Sequence, residues 1–197
     1  AKECRTELIE LAEKLTAGLI HTMPAKGIIS DNHQLSLGGL GLAGNKAAAQ
    51  LLSTADLIIN LGATWWPMDY VPRQPKIIQI DATKANLALT YPIELGITGQ
   101  LKSTLNSLLP LIKNNETQSW TNEISTAKEE WQATLRPKIE SSTTPLTPQS
   151  IITAISNQTS EDEIITLDSG DNTVWFGKYF TNQCSDILIS GTWRTMG

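Results

Sequence analysis

The chain has few cysteines, few histidines and no long hydrophobic runs, and each scarcity excludes a class of protein. Its 197 residues include two cysteines and two histidines. These are too few for a disulfide framework, and no spacing of Cys, His or carboxylates predicts a metal site. We therefore expect Cys4 and Cys184 to be reduced, structural thiols. The longest apolar runs, such as residues 57–59, fall far short of the ~20 residues that span a bilayer.

Charge is also scarce. Charged residues make up 18% of the chain and its net charge is −5, and no cluster of Lys and Arg predicts a nucleic-acid partner. Residues 1–7 are too charged for a signal peptide. We therefore expect a cytoplasmic protein with no membrane segment in this chain. The length permits one sizeable core or two small domains.

Helices and strands alternate along the sequence, which predicts an α/β fold with a parallel, Rossmann-like sheet flanked by helices. Apolar spacing and capping residues predict helices over residues 5–15, 45–54, 100–112, 116–140, 149–157 and 173–180. Apolar runs predict strands over residues 18–22, 55–62, 76–81, 93–98, 163–168 and 186–190. A segment rich in Ser, Thr and Pro at 141–148 indicates a linker, after which a second, partial α/β unit begins.

Residues 38–44 contain four glycines and lead directly into the helical run 45–53. Such a loop can approach a ligand closely, and the amides that open the next helix can bind an anionic group such as a pyrophosphate. Residues 39–44 spell Gly-x-Gly-x-x-Gly, the dinucleotide fingerprint. However, residues 32–37 form a poor hydrophobic strand, and Asp81 is about twice too far along the chain to bind the ribose of NAD. An NAD site is therefore not predicted.

Three positions can still meet at the carboxyl edge of one sheet, namely Gly41, Gly62 and Asp81. Ligands of open α/β sheets bind at this edge, so a nucleotide that lies across it fits the sequence better. Trp65 and Trp66 follow a buried strand and can either stack against a flat ring or fill the core. The alternatives without a ligand are a surface loop at the glycines and a turn or cap at Asp81.

Several motifs in order resemble thiamine-diphosphate-dependent enzymes of the pyruvate oxidase and acetolactate synthase group. Their middle domain is similar to residues 22–27, 35–44, 55–62, 76–81 and 99–105. The start of their thiamine-diphosphate-binding domain is similar to residues 145–149, 168–175 and 190–197. The resemblance implies a central, FAD-type nucleotide-binding domain over 1–113, a helix and linker over 114–147, and the N-terminal part of the thiamine-diphosphate-binding domain over 148–197.

The family's activating glutamate and its Gly-Asp-Gly metal motif have no counterpart in this sequence. The resemblance therefore implies a central fragment that is inactive alone, with no catalytic and no metal-binding residue of its own. In this family active sites form between chains, which implies that the parent protein is a homodimer or homotetramer.

The resemblance also implies cofactor-binding residues. In family members that carry FAD, the segments that hold its adenosine and pyrophosphate match Leu40, Gly41, Leu42, Ala43, Ala63, Thr64, Trp65, Trp66, Pro67 and Asp81. The pair of tryptophans departs from the family, in which one aromatic residue followed by proline is usual.

A second set of residues matches positions around thiamine diphosphate. Gly170, Asp171 and Asn172 match positions near the diphosphate. Arg194 and Thr195 precede Met196, which matches the apolar residue that holds the cofactor in its bent form. Arg194 stands where a small residue is usual, at a position whose family contact is a backbone carbonyl.

The resemblance implies a parent enzyme that decarboxylates a 2-keto acid such as pyruvate, using thiamine diphosphate and Mg²⁺, and passes electrons to FAD. One alternative is a non-redox, acetolactate synthase-like carboligase or decarboxylase without FAD. Another is a non-catalytic nucleotide-binding or subunit-interaction module.

Overall fold

A computed structural model of the chain describes residues 2–64, 68–115, 118–140, 144–160, 162–181 and 186–191. The α-helices are α1 (Arg5–Leu15), α2 (Lys46–Thr54), α3 (Leu101–Leu108), α4 (Gln118–Ile139), α5 (Pro148–Gln158) and α6 (Asp171–Tyr179). The strands are β1 (Leu19–His21), β2 (Ser36–Gly39), β3 (Leu57–Leu61), β4 (Lys76–Asp81), β5 (Leu95–Thr98), β6 (Ile164–Leu167) and β7 (Asp186–Ile189).

The strands pair in parallel. β1 pairs with β2, β3 with β4, β4 with β5, and β6 with β7. These pairs form one three-stranded sheet, β3–β4–β5, and two two-stranded sheets. Parallel neighbours need crossover connections, and α6 is the crossover between β6 and β7. The predicted α/β fold with parallel strands and flanking helices is confirmed.

The segment before the glycine-rich loop is a strand, although its hydrophobic pattern predicted a poor one. Ser36–Gly39 forms β2, whose residues pair with β1 from Leu19 to His21. The local pattern is weak because half of the strand is glycine, and its stability comes from pairing with β1 and from the burial of Leu37. Gly38 and Gly39 therefore belong to the strand, and the loop begins at Leu40.

Other boundaries shift for local reasons. The predicted helix 100–112 ends as an α-helix at Leu108 and continues as a 3-10 turn, Leu109–Leu111, because Pro110 has no amide N–H to continue the α-helical bonding. The last helix begins at Asp171, two residues before the predicted start. Residues 116–117 of the predicted fourth helix and 141–143 of the predicted linker lie outside the described residues.

Helix packing holds the sheets in place. Ala47, Ala48 and Leu51 of α2 pack against Ile124 and Ala127 of α4. A second apolar cluster joins α1 to α3 and contains Leu8, Leu11, Leu105, Leu109 and Cys4. Burial raises the pKa of the Cys4 thiol, which keeps it protonated, as expected of a structural cysteine. Cys184 lies outside the described residues.

Two further clusters position the loops that matter for function. Ile58 of β3 and Ile77 of β4 pack with Leu40 from the glycine-rich loop. Phe176 of α6 and Phe180, the residue that follows this helix, pack with Ile187, Ile189 and Met23, which joins the second α/β unit to the segment after β1. Within the described residues, no helix is long and apolar enough to cross a membrane. The cytoplasmic location stays a prediction.

Candidate functional site

The loop between β2 and α2 folds tightly because its backbone approaches itself. The amide of Gly44 donates to the carbonyl of Gly41 over 2.9 Å, and the amide of Asn45 donates to the carbonyl of Gly39 over 3.0 Å. Gly41 has φ +90°, in the left-handed region that favours glycine. A Cβ on Gly44 would lie 2.2 Å from the oxygen of Gly39. The loop therefore keeps its shape only with glycine at position 44.

Asn45 joins this loop to both neighbouring elements. Its Oδ1 accepts from the amide of Ala48 over 2.8 Å and caps α2. Its Nδ2 donates to the carbonyl of Leu37 in β2. One side chain therefore fixes the position of the first turn of α2 relative to the end of β2.

The same loop presents backbone donors that the described part of the chain leaves unused. The amides of Gly41, Leu42 and Ala43 donate to no acceptor among the described residues, and Leu42 is 68% exposed. Consecutive amides in a glycine turn form a concavity that binds anions, and the positive end of the α2 dipole strengthens it. The predicted segment Leu40–Ala43 therefore has the donors that a phosphate group requires.

The end of β3 supplies the second predicted segment. Gly62 has φ +68°, and its amide donates to the carbonyl of Ile80 in β4 over 2.9 Å. Buried Asn60 donates from Nδ2 to the carbonyl of Ala63 over 2.9 Å and accepts from its amide over 3.0 Å. These bonds hold Ala63 and the exposed Thr64 at the carboxyl edge of the sheet. The predicted residues Trp65, Trp66 and Pro67 lie outside the described residues.

Asp81, the third predicted segment, ends β4 and is 5% exposed. Its Oδ1 accepts from the amide of Thr83 over 2.8 Å and from Nδ2 of Asn86 over 3.0 Å. Asp81 thus shapes the turn after β4. This is the role that the sequence analysis left open as the alternative to ribose binding. Because β3 and β4 are adjacent, the structure brings Asp81 and Ala63 to neighbouring strand ends. Among the described strands, β2 pairs with β1 in a separate sheet, so Gly41 does not share one sheet with Gly62 and Asp81 as predicted. Leu40 nevertheless packs on the Ile58 and Ile77 cluster of the same two strands.

Gln79 is a residue of this edge that the sequence analysis did not select. Its Nε2 donates to the carbonyl of Asn86 over 2.9 Å and its Oε1 accepts from the amide of Ala88 over 3.0 Å. A cavity of about 10 Å³ beside it is lined by Asn60, Gln79, Asn86 and Tyr91, among others, and has about the volume of a single water. Burial, with the nearby Asp69 carboxylate, raises the pKa of Tyr91. A polar residue within an apolar strand was the available signal for Gln79.

A charged cluster at the end of β1 was also missed. Lys26 is 3% exposed, and its Nζ lies 2.8 Å from Oδ2 of Asp31, whose Oδ1 is 3.8 Å from Nε2 of His21. Lys128 of α4 donates to the carbonyl of His33 over 2.8 Å, and desolvation lowers the pKa of this lysine. A buried charge needs such a partner. The pair Lys26–Asp31 therefore fixes the segment between β1 and β2.

The predicted diphosphate positions lie at the start of α6, where they are exposed. The amide of Gly170 donates to Oγ1 of Thr173 over 3.1 Å. Oγ1 of Thr173 and Nδ2 of Asn172 both donate to the carbonyl of Asp168, over 2.8 and 3.0 Å. Asp171 is the first residue of the helix. The amide of Thr173 also donates to the carbonyl of Gly170 over 3.0 Å. The amides of Asp171 and Asn172 donate to no acceptor among the described residues and can face solvent or a ligand.

The end of β7 lies beside this turn. Oγ of Ser169 donates to the carbonyl of Gly191 over 2.9 Å. The predicted residues Arg194, Thr195 and Met196 lie outside the described residues. Within the described ranges, no group of three or more His, Cys, Asp or Glu side chains could hold a metal ion.

Comparison with known proteins relates this arrangement to curated enzymes. The chain is 31% identical over its whole length to the "Putative thiamine pyrophosphate-containing protein YdaP" of Bacillus subtilis (strain 168), and covers 34% of that protein. It is 29% identical to the acetolactate synthase isozyme 1 large subunit of Escherichia coli (strain K12), over 95% of the chain and 34% of that protein. It is 26% identical to the pyruvate oxidase of Lactiplantibacillus plantarum (strain ATCC BAA-793 / NCIMB 8826 / WCFS1), over 87% of the chain and 29% of that protein.

The chain spans about a third of the length of these relatives. A family model described as "Thiamine pyrophosphate enzyme, central domain" matches residues 1–108. The domain boundaries at 113 and 147 stay predictions. The parallel α/β fold agrees with the match, and the chain belongs to the thiamine pyrophosphate enzyme family.

Proposed function

We propose that the intact protein is a thiamine-diphosphate- and Mg²⁺-dependent enzyme that decarboxylates a 2-keto acid such as pyruvate and passes electrons to FAD. The observation that carries the FAD assignment is the loop of three consecutive amides, Gly41 to Ala43, which have no acceptor among the described residues. The likeness to a pyruvate oxidase over 87% of the chain supports the reaction class.

The residues of the central domain have distinct roles in this proposal. The amides of Leu40–Ala43 bind the pyrophosphate, with the dipole of α2 behind them. The segment Ala63–Pro67 lies along the adenosine. Because both described donors to Asp81 go to Oδ1, Oδ2 is the oxygen that we assign to a ribose hydroxyl. When bound, thiamine diphosphate supplies the electron sink for decarboxylation and FAD accepts the electron pair.

The second α/β unit holds part of the thiamine-diphosphate site in this proposal. The N-terminus of α6 is exposed at Gly170, Asp171 and Asn172, and its amides suit a diphosphate. The Asp171 carboxylate would repel that group without a cation between them, which is consistent with a requirement for Mg²⁺. Arg194, Thr195 and Met196 follow β7 and complete this part of the site. We propose a homodimer or homotetramer whose remaining site residues lie outside this chain.

A second candidate is a non-redox carboligase or decarboxylase of the acetolactate synthase kind. The likeness to an acetolactate synthase large subunit over 95% of the chain favours it. So does the turn at Asp81, because the hydrogen bonds to Oδ1 give this carboxylate a structural role that needs no FAD.

The two candidate enzymes differ in their flavin absorbance and in their reaction products. We expect the intact protein to absorb near 450 nm, to release FAD on denaturation and to consume pyruvate only when an electron acceptor is supplied, because reduced flavin must be reoxidised. Acetolactate formed from pyruvate by a colourless protein that FAD neither colours nor stabilises would overturn the oxidase proposal in favour of the carboligase.

Asp81→Asn tests the ribose contact separately from the turn. The amide keeps an oxygen for Thr83 and Asn86 but replaces the other carboxylate oxygen with a donor. We expect FAD binding to weaken by about 1.5–3 kcal/mol, roughly 10- to 100-fold in Kd, as measured by flavin fluorescence titration. The control Asn86→Ala removes one turn bond without touching the ribose position, and its Kd should stay near that of the unsubstituted protein. Equal Kd values for both variants would contradict the assignment.

A further inference from the structure

Gly177 brings the backbone of α6 against the candidate flavin loop. A Cβ at this position would lie 2.2 Å from the carbonyl oxygen of Ala43 and 3.0 Å from its Cβ. Ala43 is the last residue of the loop whose amides face solvent or a ligand. The helix that begins at the candidate diphosphate site therefore contacts the candidate FAD site directly, and no side chain separates them.

The other contacts of α6 hold the helix in place near Gly177. Phe176 and Phe180, which lie before and after Gly177 in the sequence, stack with ring centroids 4.3 Å apart and are buried together with Ile187 of β7. Just after the helix, Oγ of Ser156 donates to the carbonyl of Thr181 and accepts from its amide, each over 3.0 Å. A displacement of Ala43 must therefore shift either the loop or a well-anchored helix.

The helix is short enough to transmit such a shift. Asp171, its first residue, is six residues before Gly177, so about 9 Å of helix separates the diphosphate positions from the contact with Ala43. An intact helix moves as a unit over this length. A ligand that orders the N-terminus of α6 therefore changes the position or the mobility of the helix at Gly177.

We propose that Gly177 is a positioning residue that couples the two cofactor sites, so that occupation of the thiamine-diphosphate site orders the loop Leu40–Ala43. The inference rests on the proposed function for the identity of the two ligands. The contact between Gly177 and Ala43 makes the coupling local and short. By linkage, FAD and thiamine diphosphate then change each other's affinity by the same factor.

The first test uses hydrogen exchange on the intact protein and does not depend on FAD. We expect thiamine diphosphate with Mg²⁺ to slow amide exchange at Gly44 and Asn45 in the unsubstituted protein, because their bonds to the carbonyls of Gly41 and Gly39 close the loop. Gly177→Ala should remove this protection, because the added methyl group forces the loop away from the helix. Lys178→Ala, a neighbour on the same helix, should keep it. A protein that binds thiamine diphosphate without any slowing at Gly44 and Asn45 would overturn the inference.

The second test measures linkage. We expect saturating thiamine diphosphate to tighten FAD binding by roughly tenfold in the unsubstituted protein and in Lys178→Ala. The factor should fall toward one in Gly177→Ala, an effect that packing alone would not produce. An unchanged factor in this variant would refute the role of Gly177. If no FAD binds, the proposed oxidase function is wrong, and the exchange measurement still decides the coupling.

A variant with a milder effect covers the case in which Gly177→Ala does not fold. Ala43→Gly removes the Cβ beside α6 and leaves the backbone contact in place. We expect a folded protein whose loop is less well ordered by thiamine diphosphate, with protection at Gly44 and Asn45 between the two extremes. Full protection in Ala43→Gly, together with an unchanged linkage factor, would count against the proposal.

Discussion

β2 and β6 each lead through a short loop into a helix, and the two loops are held by different means. After β2, backbone meets backbone, with Gly44 packed on Gly39 so closely that a Cβ cannot fit. After β6, side chains hold the turn, since Asn172 and Thr173 both donate to the carbonyl of Asp168. The first loop ends at buried Gly44, whereas the second leads into α6 through the exposed residues 170–172.

The difference indicates how each loop can meet a ligand. The two ends of the loop after β2 keep their positions without a partner, because Gly44 packs closely on the backbone of Gly39. Its unused amides are therefore preorganised for a phosphate group, which lowers the entropy cost of binding. The turn after β6 uses hydroxyl and amide side chains that can exchange their partners for water or a ligand. We expect binding at the first site to require only the ordering of residues 40–43 between fixed ends, whereas the second site exchanges side-chain partners on binding.

Gly44→Ala should have the largest effect. The clashing atoms are backbone, so the methyl group can be accommodated only if the loop opens. We expect the free energy of unfolding to fall by about 1–3 kcal/mol, measured by urea denaturation of the intact protein. FAD affinity should fall with it, because the three amides lose their common orientation.

Gly191→Ala is the matched control for this substitution. Gly191 follows β7, and an added Cβ there meets no atom of the described residues within 4 Å. We expect its stability to change by less than about 0.5 kcal/mol. Similar losses in the two variants would mean that the close packing at Gly44 does not distinguish the two loops.

Substitutions at Asn45 distinguish the contribution of the α2 cap from that of the hydrogen bond to β2. Asn45→Ala removes both, and we expect a loss of about 1–2 kcal/mol in the free energy of unfolding. Asn45→Asp keeps the acceptor for Ala48 and favours the helix dipole, but it removes the donor to the Leu37 carbonyl. Its loss of stability should be the smaller of the two, and its added charge should weaken FAD binding. An aspartate variant less stable than the alanine variant would contradict this division.

The alternation of helices and parallel strands was predictable from the sequence, because apolar runs and helical spacing are local signals, whereas the division of the described strands into three sheets was not. It failed at β2, where Gly38 and Gly39 weaken the pattern and the strand depends on pairing with β1. It also misplaced the end of α3, which stops at Leu108 before Pro110. Both errors arise where a non-local contact or a single proline outweighs the average preference of the segment.

The candidate site was predictable only in outline. The strand ends at Gly62 and Asp81 follow from the order of parallel strands, and pairing of β3 with β4 brings them together. The hydrogen bond from Asn86 to Asp81 and the contact of Gly177 with Ala43 were not foreseen. Neither has a sequence signal, because each depends on how a loop or helix folds back onto another element.

Thr173→Val should have the smallest effect on the free energy of unfolding. It tests the comparison of the two loops at the second one, after β6. Valine matches the shape of threonine but loses the acceptor for the Gly170 amide and the donor to the Asp168 carbonyl. Because water can replace both partners at this exposed helix end, we expect a loss of only about 0.5–1 kcal/mol, measured by urea denaturation beside Thr173→Ser, which keeps the hydroxyl. A loss as large as that of Gly44→Ala would show that side chains fix the second loop as firmly as backbone packing fixes the first.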